Sequence, residues 1–148
     1  MAFRFALAPL LRLRRSLEHQ RALDLQKASV DLANAEHTLV AFDCLVQESA
    51  QADSRSLAAG CMAAEIHFAN LLREQLEHVR AQLQNRIATL DAIRRQMAIN
   101  YQRALGEREA LETLRQQQWH VYQKEKARRE QKEIDTAHLL QSWHRRNG

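Results

Sequence analysis

The first half of the chain carries apolar residues at alternating spacings of three and four positions, which is typical of a coiled-coil seam. Seven such positions follow one another without a break: Leu25, Ala28, Leu32, Ala35, Leu39, Phe42 and Val46. Upstream, the stripe includes Leu10, Leu13 and Leu17, and two steps of four through Arg21 connect it to Leu25. The pattern predicts one long amphipathic helix with a stutter near Arg21, where a supercoil unwinds locally.

The second half of the chain repeats this spacing with more polar residues in the stripe. The predicted seam positions are Leu76, Val79, Leu83, Arg86, Leu90, Ile93, Met97, Asn100, Ala104, Glu107, Leu111, Leu114, Gln118 and Val121. Polar seam residues lower stability but fix the alignment and number of the partner helices. We therefore expect a second helix that is built for a defined partner.

The segment between the two stripes, residues 52–65, has few large side chains and contains Gly60, which permits a left-handed backbone. The chain is expected to reverse here, and two helices joined by a short connection pack antiparallel. The predicted single domain spans residues 1–148, with helix one at about 9–56, a turn at about 57–61 and helix two at about 62–141.

The unequal lengths of the two helices predict an overhang. Folding the chain back about residue 58 puts Phe3 and Phe5 near Leu111 and Leu114. Helix two past about Trp119 then has no intramolecular partner. The expected fold class is all-α: two long helices in an antiparallel coiled-coil hairpin, with the second helix longer and overhanging at its C-terminus.

Composition agrees with a helical hairpin, because only three Gly, one Pro and 5% aromatic residues occur among 148 positions. A compact globule needs more turn residues and more bulk than this. No apolar run approaches the roughly 20 residues that span a bilayer. We expect a cytoplasmic protein in which Cys44 and Cys61 stay reduced and lie too far apart to form a bridge.

Charge divides unevenly along the chain. Residues 3–15 hold four Arg and no acid, and residues 124–146 carry a net charge of +3, which leaves −3 for the remainder of a chain of net +4. A hairpin brings both basic segments to its open end. Such an end steers towards acidic protein, phosphate or lipid surfaces.

Motifs of catalysis and metal binding are missing from the sequence. The seven His include no pair at the spacing of three or four that puts two ligands on one helix face. There is no phosphate-binding glycine loop and no serine elbow. We therefore expect no catalytic residue, no cofactor, no metal and no small-molecule substrate, and hence no enzyme.

A basic nucleic-acid-binding coiled coil is an alternative, because the pI is about 9.5. The segment KEKARREQK at residues 124–132 resembles part of a basic leucine-zipper helix. Such helices need denser Arg and Lys, whereas Glu125 and Glu130 interleave with the basic residues here. We expect no specific nucleic-acid partner.

Both ends of the chain resemble the flagellar export protein FliJ family. The C-terminal resemblance lies in Glu107–Glu112, Leu114, Tyr122 and Arg129–Asp135; the N-terminal one lies in Phe3, Phe5, Leu7, Leu10, Leu11, Leu13 and Arg14. Where the family pattern continues with a second acid, this chain has Thr136. The resemblance covers nearly the whole chain in length and helical layout.

The resemblance implies a non-enzymatic stalk and general chaperone of the flagellar type III export apparatus, associated peripherally with the inner membrane through that apparatus. The implied partners are the hexameric export ATPase, whose ring it enters and stimulates, the export-gate membrane protein, and export chaperones. The equivalent stalk subunit of a virulence injectisome is an alternative with the same architecture.

Two sets of residues are the predicted contacts. The basic open end is expected to meet an acidic lining of the ATPase ring through Arg12, Arg14, Arg15, Arg128, Arg129 and Lys132. Apolar residues in the half near the turn exceed what two helices need to pack. The export gate is expected to contact Leu45, Ile66 and Phe68 there.

Overall fold

The computed structural model describes residues 2–60 and 62–147, with side chains up to Arg146. The described residues form two long helices and no strand: α1 spans Ala8–Ala59 and α2 spans Ala63–Asn147. This confirms the all-α fold class with a longer second helix. α1 ends three residues later than expected, and α2 continues six residues past residue 141.

The reversal is shorter than expected because α1 continues through the serines that precede it. The Ser54 hydroxyl donates to the carbonyl of Ala50 at 2.9 Å, which satisfies this polar side chain inside the helix. Gly60 ends α1 with φ of +94°, a left-handed conformation that suits glycine. The predicted turn also includes Cys61, which lies outside the described residues. The predicted separation of Cys44 from Cys61 therefore also lies outside them.

The start of α2 is capped by its own first turn. The Glu65 carboxylate accepts a hydrogen bond from the Met62 backbone N–H at 3.0 Å, as the acid of a capping box does. An acid in the first turn also complements the positive end of the helix dipole. α2 then continues without interruption through Gly106.

The chain divides into two compact units. Residues 1–18 and 103–148 form one, which we call the terminal unit, and residues 19–102 form the other, the turn unit. α1 crosses this boundary between Glu18 and His19, and α2 crosses it between Gln102 and Arg103.

In the turn unit, α1 presents the predicted seam. All seven positions are buried or half-buried, with Ala28 and Leu32 the most enclosed. An ion pair between Arg80 Nε and Asp43 Oδ1, 2.9 Å apart, joins the two helices of this unit. The midpoint of this pair lies between residues 61 and 62, so the hairpin folds about a point some three residues later than 58.

The seam of α2 departs by one residue from the predicted phase at two intermediate positions. Leu83, Leu90 and Met97 face inward as expected, but Arg86 and Ile93 are exposed. Ile87 and Arg94 are half-buried in their place, and Tyr101 is half-buried beside the predicted Asn100. A period of 3.5 allows an intermediate step of either three or four, and the second choice brings Ile87 to the interface in place of the cation Arg86.

The stutter expected in α1 near Arg21 is not present, and that prediction was wrong. Leu11 is 3% exposed, whereas Leu13, which the pattern put in the seam, is 55% exposed. After Leu11 the half-buried positions are Arg14, the predicted Leu17 and Glu18, and Leu11, Glu18 and Leu25 keep a spacing of seven without a stutter. The sequence pattern missed Arg14 and Glu18 because they are charged.

An aromatic cluster marks where α2 leaves its partner. The Phe3 ring lies 5.1 Å from that of Trp119 and 5.6 Å from that of Tyr122, not beside Leu111 and Leu114 as expected. The later folding point accounts for part of this shift. Residues 2–5 are also not helical and cover more distance per residue than a helix does. Past Tyr122 every described side chain but Ser142 is exposed, which confirms the overhang.

Candidate partner-binding surfaces

The two units carry opposite net charge. The terminal unit holds 14 Lys and Arg against eight Asp and Glu, a net charge of +6, whereas the turn unit holds eight against ten, a net charge of −2. The sequence prediction of a basic pair of ends therefore corresponds to one compact unit. This unit is the candidate surface for acidic partners.

Two of the arginines predicted to contact the ATPase ring form ion pairs within the terminal unit. Arg14 pairs with the Glu107 carboxylate, and Arg15 Nη2 lies 2.6 Å from Glu112 Oε1. Both pairs connect α1 to α2, more than 90 positions apart in sequence. Arg14 and Arg15 thus hold the two helices in alignment, and their charge is partly balanced inside the unit.

Arg108 extends this ionic cluster. Its Nε lies 2.6 Å from Glu18 Oε2, although the N–H is not aligned as a hydrogen bond, and its Nη1 donates to Glu112 Oε2 at 3.2 Å. The two carboxylates raise the pKa of Arg108 above its usual value. The hydrogen bond from Arg15, assisted by Arg108, lowers the pKa of Glu112 despite the opposing effect of its partial burial.

A groove beside this cluster is bordered by further guanidinium groups. It has a volume of about 280 Å³ and is lined by Phe3, Phe5, Ala8, Leu11, Arg12, Arg15 and Arg115. Among the described residues, neither Arg12 nor Arg115 has an ionic partner. Guanidinium groups around an apolar floor can bind carboxylates bidentately while Phe3 and Phe5 contact the rest of an acidic segment.

Arg115 is the functional candidate that sequence reasoning missed. In the predicted phase it follows the seam position Leu114 and attracts no attention. The N-terminal segment brings Phe3 and Phe5 alongside it. Only the true alignment of α1 on α2 could have pointed to it.

The predicted cations of the overhang differ in their surroundings. Arg129 lies 3.9 Å from Glu125 in a loose pair along the helix. Within residues 123–146, Arg128 and Lys132 have no ion pair. They are four positions apart and therefore lie on neighbouring turns of one helix face.

A second groove lies at the reversal, in the turn unit. It has a volume of about 540 Å³ and is lined by Asp53, Ser56, Leu57, Ala64, Glu65, Ile66, Phe68, Ala69, Asn70, Leu72 and Arg73. Ile66 and Phe68, two of the predicted gate contacts, both line it, whereas Leu45 is exposed on α1 outside it. Leu57 and Leu72 are further exposed apolar side chains of this groove.

Two kinds of site were also sought in the described part of the chain. Residues 2–60 and 62–147 contain no group of three or more His, Cys, Asp or Glu side chains placed to hold a metal ion. No helix within those ranges has a stretch both long and apolar enough to cross a bilayer.

Comparison with known proteins finds one family. The model of the flagellar FliJ protein family matches residues 3–148, which is essentially the whole chain. Comparison with curated proteins and with solved structures finds no match. The helical layout, the basic terminal unit and the family match agree, and the chain belongs to the flagellar FliJ protein family.

Proposed function

We propose that this component of the flagellar export apparatus is a stalk without enzymatic activity that enters and stimulates the hexameric export ATPase. Family membership supports its place in the export apparatus. The observation that carries the stalk proposal is the unpaired basic surface of the terminal unit, made of Arg12, Arg115, Arg128 and Lys132. We propose further that it acts in the cytoplasm, contacts the export-gate membrane protein and binds export chaperones.

The ring contact is assigned to cations that have no partner inside the chain. Arg14 and Arg15 are ion-paired across the helices, so an acidic ring must compete with Glu107 and Glu112 for them. Arg12 and Arg115 border the groove and are free of such competition. A new ionic contact therefore costs less desolvation and rearrangement at Arg12 and Arg115 than at Arg14 and Arg15.

Charge reversal tests the ring contact. The double variant Arg12→Glu, Arg115→Glu is expected to reduce binding to the purified ATPase about tenfold or more, because it replaces attraction by repulsion. Stimulation of ATP turnover should fall with it. The variant Arg55→Glu, Arg86→Glu, which reverses two exposed cations of the turn unit, is the matched control and should leave both unchanged.

Reversal at Arg128 and Lys132 extends this test to the overhang. If the reversal at Arg12 and Arg115 and the reversal at Arg128 and Lys132 both leave ring binding and ATP turnover unchanged, with helicity intact by circular dichroism, the basic surface merely keeps the terminal unit solvated.

The gate contact is assigned to the groove at the reversal, which exposes Leu57, Ile66 and Phe68 together. Exposed apolar side chains that share a groove are typical of interaction sites. Phe68→Ala should weaken binding to the cytoplasmic part of the gate protein about tenfold, as loss of an aromatic anchor does.

Leu45→Ala is the comparison variant, because Leu45 is equally apolar and exposed but does not line the groove. It should change gate binding little. Equal losses for Phe68→Ala and Leu45→Ala would assign the contact to the length of α1 instead, and no loss in either would remove the gate proposal.

A further inference from the structure

We propose that the end of the overhang, residues 136–146, docks on an anionic membrane surface without spanning it. Three large apolar side chains stand out there: Leu139, Leu140 and Trp143 are 70%, 58% and 61% exposed. Together with Thr136, Ser142 and Arg146 they line a shallow groove of about 430 Å³. Neither the ring contact nor the gate contact proposed above uses these residues.

The three apolar side chains share one side of α2. Leu139, Leu140 and Trp143 are separated by one and three positions, which keeps them within about a third of a turn of one another on average. Ile134, also 61% exposed, lies nine positions before Trp143 and so points to the opposite side of the helix. The overhang therefore has a distinct apolar ridge near its end.

The charge around the ridge has one sign. After Asp135 the sequence contains no acid, and Arg146 and His144 lie beside the ridge, whereas His138 and Arg145 lie towards the opposite side of α2. Arg146 lines the same groove as Trp143. An apolar strip with Trp and flanked by Arg suits a helix lying in the headgroup region, where Arg contacts lipid phosphates and Trp sits at the boundary of the acyl chains.

The size and charge of the ridge distinguish a lipid surface from other occupants. The exposed area of the three side chains is on the order of 400 Å², whereas a stable protein interface buries about 800 Å² on each partner. A second copy would also bring two basic segments together, which costs electrostatic free energy. A bilayer needs only shallow insertion, and its anionic headgroups supply the remaining attraction.

Vesicle binding tests the proposal with the full chain. Sedimentation with vesicles of equal parts phosphatidylglycerol and phosphatidylcholine should show binding that vesicles of phosphatidylcholine alone do not. Trp143→Gln and Leu139→Gln should each lower the partition coefficient about tenfold, since each removes most of one large apolar contact. Ile134→Gln, the same kind of change on the opposite side, should alter it less than about twofold.

Fluorescence locates the ridge in the bilayer. In a Trp119→Phe chain the remaining indole is Trp143, and lipids brominated on their acyl chains should quench its emission. Three results would overturn the proposal: equal binding to both kinds of vesicle, equal losses for Ile134→Gln and Trp143→Gln, or no quenching by brominated lipid. Loss of ATPase binding in Trp143→Gln without any vesicle binding would assign the ridge to a protein partner instead.

Discussion

At the scale of residues, the charged side chains of Glu18, Arg108 and Glu112 are half-buried between the helices, where apolar side chains pack elsewhere. Their side chains are largely shielded from water, and Arg108 contacts carboxylates from both helices. The aliphatic stem of Arg108 packs while its head stays paired. Such a cluster penalises any slippage of one helix along the other, because every shifted alignment leaves a partly buried charge without its partner.

Glu112 gives this cluster a pH dependence. Arg15 and Arg108 lower the pKa of Glu112 in the folded chain, so its stabilising effect is present above the unfolded pKa of about 4.3 and is lost as the pH falls through the folded pKa. Glu112→Gln should cost about 0.2–1 kcal/mol at pH 7. The difference between the two chains should become smaller as the pH falls through the folded pKa of Glu112.

Urea unfolding at pH 7 and at successively lower pH values measures this effect. Glu125→Gln, which alters a pair confined to the overhang, is the control and should be close to neutral at pH 7. A difference in unfolding free energy between wild type and Glu112→Gln that does not change as the pH falls would contradict the ionic account.

At the scale of elements, the two helices differ at their glycines. Gly60 ends α1 in the left-handed region, and Gly106 lies inside α2 on an exposed face, with open space where a Cβ would be. The same residue type is therefore needed in one place and merely tolerated in the other.

Substitution by Ala should have opposite signs at the two glycines. Gly106→Ala should stabilise the chain by about 0.5–1 kcal/mol, because it restricts the unfolded backbone and meets no neighbour. Gly60→Ala should destabilise it by about 1–2 kcal/mol through left-handed strain. Thermal unfolding followed by circular dichroism compares them, and destabilisation by Gly106→Ala would show that the glycine serves a function in α2.

At the scale of the whole molecule, charge and apolar surface are distributed by unit. The terminal unit is basic and contains the arginine groove and the overhang, and the turn unit is mildly acidic and contains the larger apolar groove. Separate chemistries on separate units allow partners of different kinds to bind without competing. The stalk function that we propose needs this property.

Helical periodicity and composition by themselves determined the all-α class, the reversal near Gly60, the seven-residue seam of α1 and the overhang, because these depend on local propensity and on total length. The tertiary structure decided the phase of the α2 seam, the absence of a stutter and the partners of Arg14 and Arg15. A 3.5-residue period leaves two intermediate positions equivalent until a second helix packs against them, and charged residues at seam positions reveal their role only when their partners are in place.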